Sequence, residues 1–176
     1  MVAEEYPTLI SYLSPTHTIR TKELFEQAKT FAKKGGMIDI STGGTRFQSP
    51  HLCVLEALEC GVSIEQMTFS SDGRGGVKKV DPVTGEFTYT PAPLHLNWKE
   101  MTLLVKEGKY PMEDALRLIT VNPAKNMKLN GKGRIQSGYD ADFCFLDENL
   151  NISDVIAKGE LMMKEYTIIK KGRYEQ

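Results

Sequence analysis

Two short stretches hold the residues best suited to chemistry. Pro15-Thr16-His17-Thr18-Ile19-Arg20 places an arginine three residues after a histidine, and Phe69-Ser70-Ser71-Asp72-Gly73-Arg74-Gly75-Gly76 places an aspartate ahead of three glycines. Each follows an apolar, strand-like run. A strand that delivers a polar side chain to its C-terminal tip, and then yields to flexible backbone, is a common way for α/β proteins to present reactive groups. His17 and Asp72 would be two ligands of a metal site, which needs several converging donors. The plainer alternative for the second stretch is a turn, because Ser and Asp bond their own backbone there and Gly supplies positive φ. His51, in the first turn of a predicted helix, and His95, in a loop, read as surface or loop residues.

The elements that would position these residues alternate. After the run containing Leu-Ile-Ser-Tyr-Leu, read as a first strand, apolar Leu24, Phe25, Ala28, Phe31 and Ala32 recur at helical spacing within residues 21–34, and Gly35-Gly36 supplies the stop. Met-Ile-Asp-Ile-Ser (37–41) reads as a second strand. Ser49-Pro50 opens a helix that carries Leu52, Leu55 and Leu58, and Met-Thr-Phe-Ser-Ser-Asp (67–72) reads as a third strand. Strand, helix, strand, helix and strand with short connections predict parallel βα units with helices covering the sheet. A loop of about twenty residues follows, with a small hairpin predicted in Asp-Pro-Val-Thr-Gly-Glu-Phe-Thr-Tyr. Helices are predicted over residues 97–106, from Pro111 and from Pro123. From Gly131 onward the chain turns to short β-type runs, so the predicted boundary puts one unit at 1–126 and a small β unit at 127–176.

Bulk properties exclude several classes. A chain of 176 residues, 40% hydrophobic and 26% charged, has the composition of a folded globular protein rather than a disordered one. A net charge of -1, with basic residues scattered, gives no footprint for nucleic acid. Three cysteines without CxxC spacing suggest neither a disulfide framework nor structural zinc, and favour a reducing, cytoplasmic setting. No run approaches the roughly 18 apolar residues of a membrane span, and the acidic N-terminus is unlike a signal peptide.

Specific motifs carry a resemblance. Gly-Lys-Gly-Arg-Ile-Gln-Ser-Gly-Tyr-Asp-Ala-Asp-Phe-Cys-Phe-Leu-Asp (131–147), with the preceding Ala-Leu-Arg-Leu-Ile-Thr-Val-Asn-Pro-Ala-Lys-Asn-Met-Lys-Leu, resembles the closing segment of the amidohydrolase superfamily. Within it, residues 15–41 and the stretch around Asp72 are similar to the β-aspartyl (isoaspartyl) dipeptidases. The resemblance implies an α/β fold: the C-terminal portion of a TIM-type (β/α)8 barrel, about strands 6 to 8, followed by part of a small β-sandwich. It also implies a binuclear zinc hydrolase acting on β-aspartyl dipeptides. His17 would bind one zinc. Arg20 would hold a substrate carboxylate, a task suited to its planar fork. Asp72 would contact zinc, serve as general base toward a zinc-bridged hydroxide and then protonate the leaving amine. Gly73, Gly75 and Gly76 would let backbone approach the substrate, and Gly75-Gly76 stand in a loop where family members can carry a serine for the substrate's carboxylate.

The same resemblance shows what is missing. The superfamily takes further ligands from earlier strands: a His-x-His pair, a carboxylated lysine and another histidine. No His-x-His occurs here, and a whole barrel takes about 250 residues. The expectation is therefore a chain that needs an N-terminal half for activity, from a parent that is homo-oligomeric. The alternatives are a non-catalytic fragment or interaction subunit, and a dihydroorotase- or hydantoinase-like cyclic amidase sharing the His and Asp positions.

Overall fold

The computed structural model describes residues 5–73, 75–91 and 93–171. Its contacts divide the chain into two units, Met1–Asn126 and Met127–Gln176.

In the first unit the alternation in Ile38-Asp39-Ile40-Ser41 and Met67-Thr68-Phe69-Ser70 decides the architecture. β1 (Ile38–Ser41) and β2 (Met67–Ser70) pair in parallel, with Ile38 opposite Met67, Asp39 opposite Thr68, Ile40 opposite Phe69 and Ser41 opposite Ser70. Side chains in a strand alternate between faces, so one face is wholly apolar and the other wholly polar. Ile38, Ile40, Met67 and Phe69 of the apolar face join the core with Phe25, Ala28, Ala32, Cys53, Val54, Ala57, Met101, Leu104, Ala115 and Leu118.

The helical core partners come from four helices, and a fifth closes the unit. α1 (Lys22–Lys33) is capped by Thr21, whose hydroxyl accepts from the Leu24 N–H. α2 (Pro50–Glu59) opens with proline in its first turn, where the missing N–H costs nothing; Ser49 precedes it without a side-chain cap bond. α3 (Leu96–Lys106) buries Met101 and Leu104, while Trp98 and Val105 pack against the core partly exposed. α4 (Met112–Arg117) follows Pro111. α5 (Val121–Asn126) begins two residues ahead of Pro123, the expected start. Buried Asn122 donates to the Ile64 and Met67 carbonyls, fixing α5 to the entry of β2.

The predicted first strand is the principal departure. Pro7–Tyr12 form a 3-10 helix without a buried residue, and the chain then runs extended without a strand ladder. Pro7 favours the helical turn, and Pro15 lacks an N–H to give to a ladder. His17, at φ 58, then bends the backbone away. The segment still lies alongside β1, because Asp39 N–H donates to the Pro15 carbonyl (3.0 Å) and Thr18 N–H to the Asp39 carbonyl (3.4 Å).

The loop after Asp72 contains a hairpin larger than the one expected in residues 81–89, which supply only its turn and part of its second strand: β3 (Gly76–Val80) pairs antiparallel with β4 (Phe87–Pro91). Its turn is held by Asp81, whose carboxylate accepts from the Val83 and Thr84 N–H groups.

The second unit is a four-stranded antiparallel sheet: β5 (Phe143–Leu146), β6 (Ile152–Ala157), β7 (Glu160–Lys164) and β8 (Thr167–Ile168), in that order. The final β-type run was expected to reach Tyr174, and its last residues lie outside the described ones. Ahead of β5, Lys132 reaches both Asp140 and Asp142, and the ammonium holds Asp142 below the usual carboxylate range. Asp142 in turn accepts from the Lys158 N–H in the β6–β7 turn. The two aspartates of the Asp-Ala-Asp motif are thereby explained as the clasp that starts the sheet. Among the described residues, no helix is long and apolar enough to cross a membrane.

Candidate active site

The polar face of the β1–β2 pair organises the site. Asp39, at 8% exposure, places a carboxylate among hydroxyls: Oδ2 accepts from Thr16 (2.7 Å) and Ser70 (2.6 Å), and Oδ1 from Thr68 (2.9 Å). The Thr18 hydroxyl donates to the Asp39 carbonyl at 2.8 Å. One residue therefore ties the extended segment before His17, β1 and β2 together by charge-assisted bonds. Sequence reading missed it. The signal was available, since aspartate is depleted in strands and one in the middle of a four-residue strand asks for partners.

Ser41 is the second missed residue. Its hydroxyl is buried and hydrogen-bonds His17 Nδ1 at 2.9 Å, which holds the imidazole over the end of β1. Ser41 is opposite Ser70 in the ladder, and Asp72 lies two residues beyond Ser70. His17 and Asp72 thus share the C-terminal end of the sheet. Both adopt left-handed backbone, φ 58 and φ 51, at a cost of order 1–3 kcal/mol each that only a well-determined surrounding sustains. Arg20 is exposed beside them, its N–H donating to the His17 carbonyl at 3.2 Å. Among the described residues neither its guanidinium nor the Asp72 carboxylate has a partner. Gly76 opens β3, four residues after Asp72.

Two loops hold this end in shape. Thr42, fully buried, donates its hydroxyl to Asn97 Oδ1 (2.8 Å) and its N–H to the Ser70 carbonyl (2.7 Å). The loop returns to the histidine segment where Phe47 N–H donates to the Ile19 carbonyl at 3.0 Å. Between these points Gly43 lies so close that a Cβ would stand 2.4 Å from the Ser71 carbonyl oxygen, backbone against backbone. Gly43→Ala is therefore expected to lower stability by about 1–3 kcal/mol and to push Ser71 and Asp72 out of place. A urea midpoint below wild type at unchanged slope would show it, and an unchanged midpoint would refute it. Gly75 meets a similar constraint: its N–H donates to the Asp72 carbonyl at 2.8 Å, and a Cβ would meet that same oxygen at 2.8 Å.

His51 corrects the reading of it as a surface residue. It is buried, and both its N–H (3.2 Å) and its ring Nδ1 (2.8 Å) engage Glu100 Oε2, so the pair links α2 to α3 within the helical layer. His95 is exposed at the start of α3.

The donor set bears on the expected zinc. His17 has Nδ1 occupied by Ser41, leaving Nε2 for a cation, and Asp72 has a free carboxylate. Both are fitting ligand types for zinc. Among the described residues no group of three or more His, Cys, Asp or Glu could hold a metal.

Comparison with known proteins places this geometry in a lineage. The chain is similar to the crystal structure of a β-aspartyl dipeptidase from Fervidobacterium islandicum in complex with β-Asp-Leu dipeptide: 36% identity and a TM-score of 0.78 over 93% of this chain and 44% of that one. A second structure of a β-aspartyl dipeptidase from that organism gives 33% and 0.76, covering 93% and 41%. Among curated proteins it is 33% identical over 139 residues to an adenine deaminase of Geobacillus kaustophilus, covering 66% of this chain and 23% of that protein. The N-acetylglucosamine-6-phosphate deacetylase of Thermotoga maritima shares the fold, with 19% identity and a TM-score of 0.55 over 73% of this chain and 39% of that one. The chain thus spans less than half the length of these relatives. The model of the amidohydrolase family matches residues 56–168, from within α2 through β2 and Asp72 to the last strand of the second unit, and the chain belongs to that family.

Proposed function

We propose that this chain carries the C-terminal share of the active site of a metal-dependent β-aspartyl dipeptidase. The observation that supports this most is the likeness to the Fervidobacterium enzyme over 93% of the chain. Zinc would be held here by His17 Nε2 and Asp72 with ligands from outside this chain, and when bound it would supply Lewis-acid activation of water near neutral pH. Asp72, on a fixed turn at the strand tip, would take a proton from the attacking water and return it to the departing amine. Arg20 would fix the substrate through a carboxylate, and Gly76 would leave room for it beside the loop backbone. A small peptide would be the substrate, in a cytoplasmic, homo-oligomeric enzyme whose N-terminal half supplies the remaining ligands.

The test is to co-express the chain with the N-terminal portion of a β-aspartyl dipeptidase and to measure metal content and hydrolysis of β-Asp-Leu. Bound zinc with dipeptide hydrolysis is expected. Deamination of adenine without dipeptide hydrolysis would replace this reading with the one that the Geobacillus relative suggests. Turnover of a cyclic imide would favour the cyclic amidase, and failure of the halves to associate would leave the non-catalytic fragment.

A further inference from the structure

Lys29 lies on the inward side of α1, only 4% exposed, and takes no part in the site described above. Its ammonium has three protons and three acceptors: Glu26 Oε1 at 2.9 Å, Glu56 Oε1 at 2.6 Å and Cys60 Sγ at 3.6 Å. The Phe25 ring lies 4.9 Å from Nζ. Glu56 and Cys60 are four apart in sequence at the end of α2, so they present a carboxylate and a thiol side by side to one amine. Cys60 is exposed to solvent and to small oxidants, while its sulfur touches the buried amine. The other cysteines are set differently. Cys53 is buried, which pushes its thiol up to about 12; Cys144 is exposed like Cys60, but partial desolvation raises its thiol.

We propose that Lys29 and Cys60 form an oxidation-triggered sulfenamide crosslink that joins α1 to α2, with hydrogen peroxide as the oxidant. In the first step the peroxide O–O bond breaks, one oxygen passes to Cys60 Sγ to give the sulfenic acid, and water leaves; sulfur loses two electrons and peroxide gains them. In the second, Nζ hands a proton along the 2.6 Å bond to Glu56, and its freed lone pair attacks Sγ. The S–N bond forms as the S–O bond breaks, hydroxide departs as water with a second Nζ proton, and the proton on Glu56 goes to solvent. Burial favours the neutral amine, but the hydrogen bonds to Glu56 and Glu26 outweigh it and hold Lys29 above the ordinary lysine value. Transfer to Glu56 is therefore the step that arms the amine. The 3.6 Å separation is close to the contact distance from which such a bond forms.

The test uses the full chain. Treatment with hydrogen peroxide is expected to lower the intact mass by about 2 Da, two hydrogens lost, with one peptide pair joining Lys29 to Cys60 and separated again by a thiol reductant. Cys60→Ser, which keeps an acceptor beside Nζ, removes the crosslink. Oxidation of Cys60 to a sulfinic acid, about 32 Da heavier and with Lys29 free, would overturn the proposal. So would a joined pair about 14 Da heavier, with oxygen kept between nitrogen and sulfur, or an unchanged Cys60.

Discussion

Asp72→Asn, in the chain completed by an N-terminal half, is expected to lower kcat for β-Asp-Leu by about three orders of magnitude with KM changed less than about threefold. The amide keeps the size and one oxygen of the carboxylate but cannot accept the proton that a general base must take. It also tolerates left-handed backbone at least as well as aspartate, so the turn from Asp72 to Gly75 has no reason to rearrange. Since Asp72 would contact the cation as well, zinc content has to be measured alongside. Near-normal zinc with lost turnover assigns proton transfer to Asp72. A variant that retains more than about a tenth of wild-type kcat would remove Asp72 from that role.

Asp39→Ala is expected to be the most damaging substitution for folding of the first unit, at about 4 kcal/mol. Three hydroxyls, from Thr16, Thr68 and Ser70, converge on the Asp39 carboxylate. Alanine leaves all three without their acceptor at a largely buried point, and bonds to a charged group are the costlier ones to lose. For a unit of this size that corresponds to a fall of roughly 15 °C in Tm. Asp39→Asn should fall between wild type and alanine, because the amide keeps one oxygen to accept hydroxyl protons while its NH2, a donor, cannot accept from those that faced the other oxygen. Thermal unfolding of the three proteins decides it. Equal Tm values for Asp39→Ala and wild type would show that water replaces the carboxylate at no cost.

Much of the helical and strand pattern was legible in the sequence because its causes are local. Thr21, Pro50 and the spacing of Phe25, Ala28 and Ala32 act within a few residues, and so do the alternating residues of β1 and β2. The run before His17 failed for a local reason too. Leu9 and Ile10 supply strand-like hydrophobicity, yet Pro7 and Pro15 remove the donors that a ladder needs. The site was legible only as far as its tips. His17, Arg20 and Asp72 were found as polar residues after apolar runs. Their supports, Ser41 for His17 and Asp39 for three hydroxyls, bridge 23 to 31 residues of sequence, and nothing local marks such pairings. His51 and Glu100 meet across 49 residues, so a histidine that looked superficial is a buried tie between helices.

If His17 and Asp72 serve the proposed chemistry, the left-handed backbone at positions 17 and 72 sets folding and function against each other. In a library of all substitutions sorted only for folded, protease-resistant protein, glycine and asparagine should rise to the top at both positions, since each relieves the strain of φ near +55°. The same library sorted for turnover should discard them. Two neighbouring positions whose rankings invert between the sorts would trace, without any ligand, the line along which natural selection has traded robustness for chemistry.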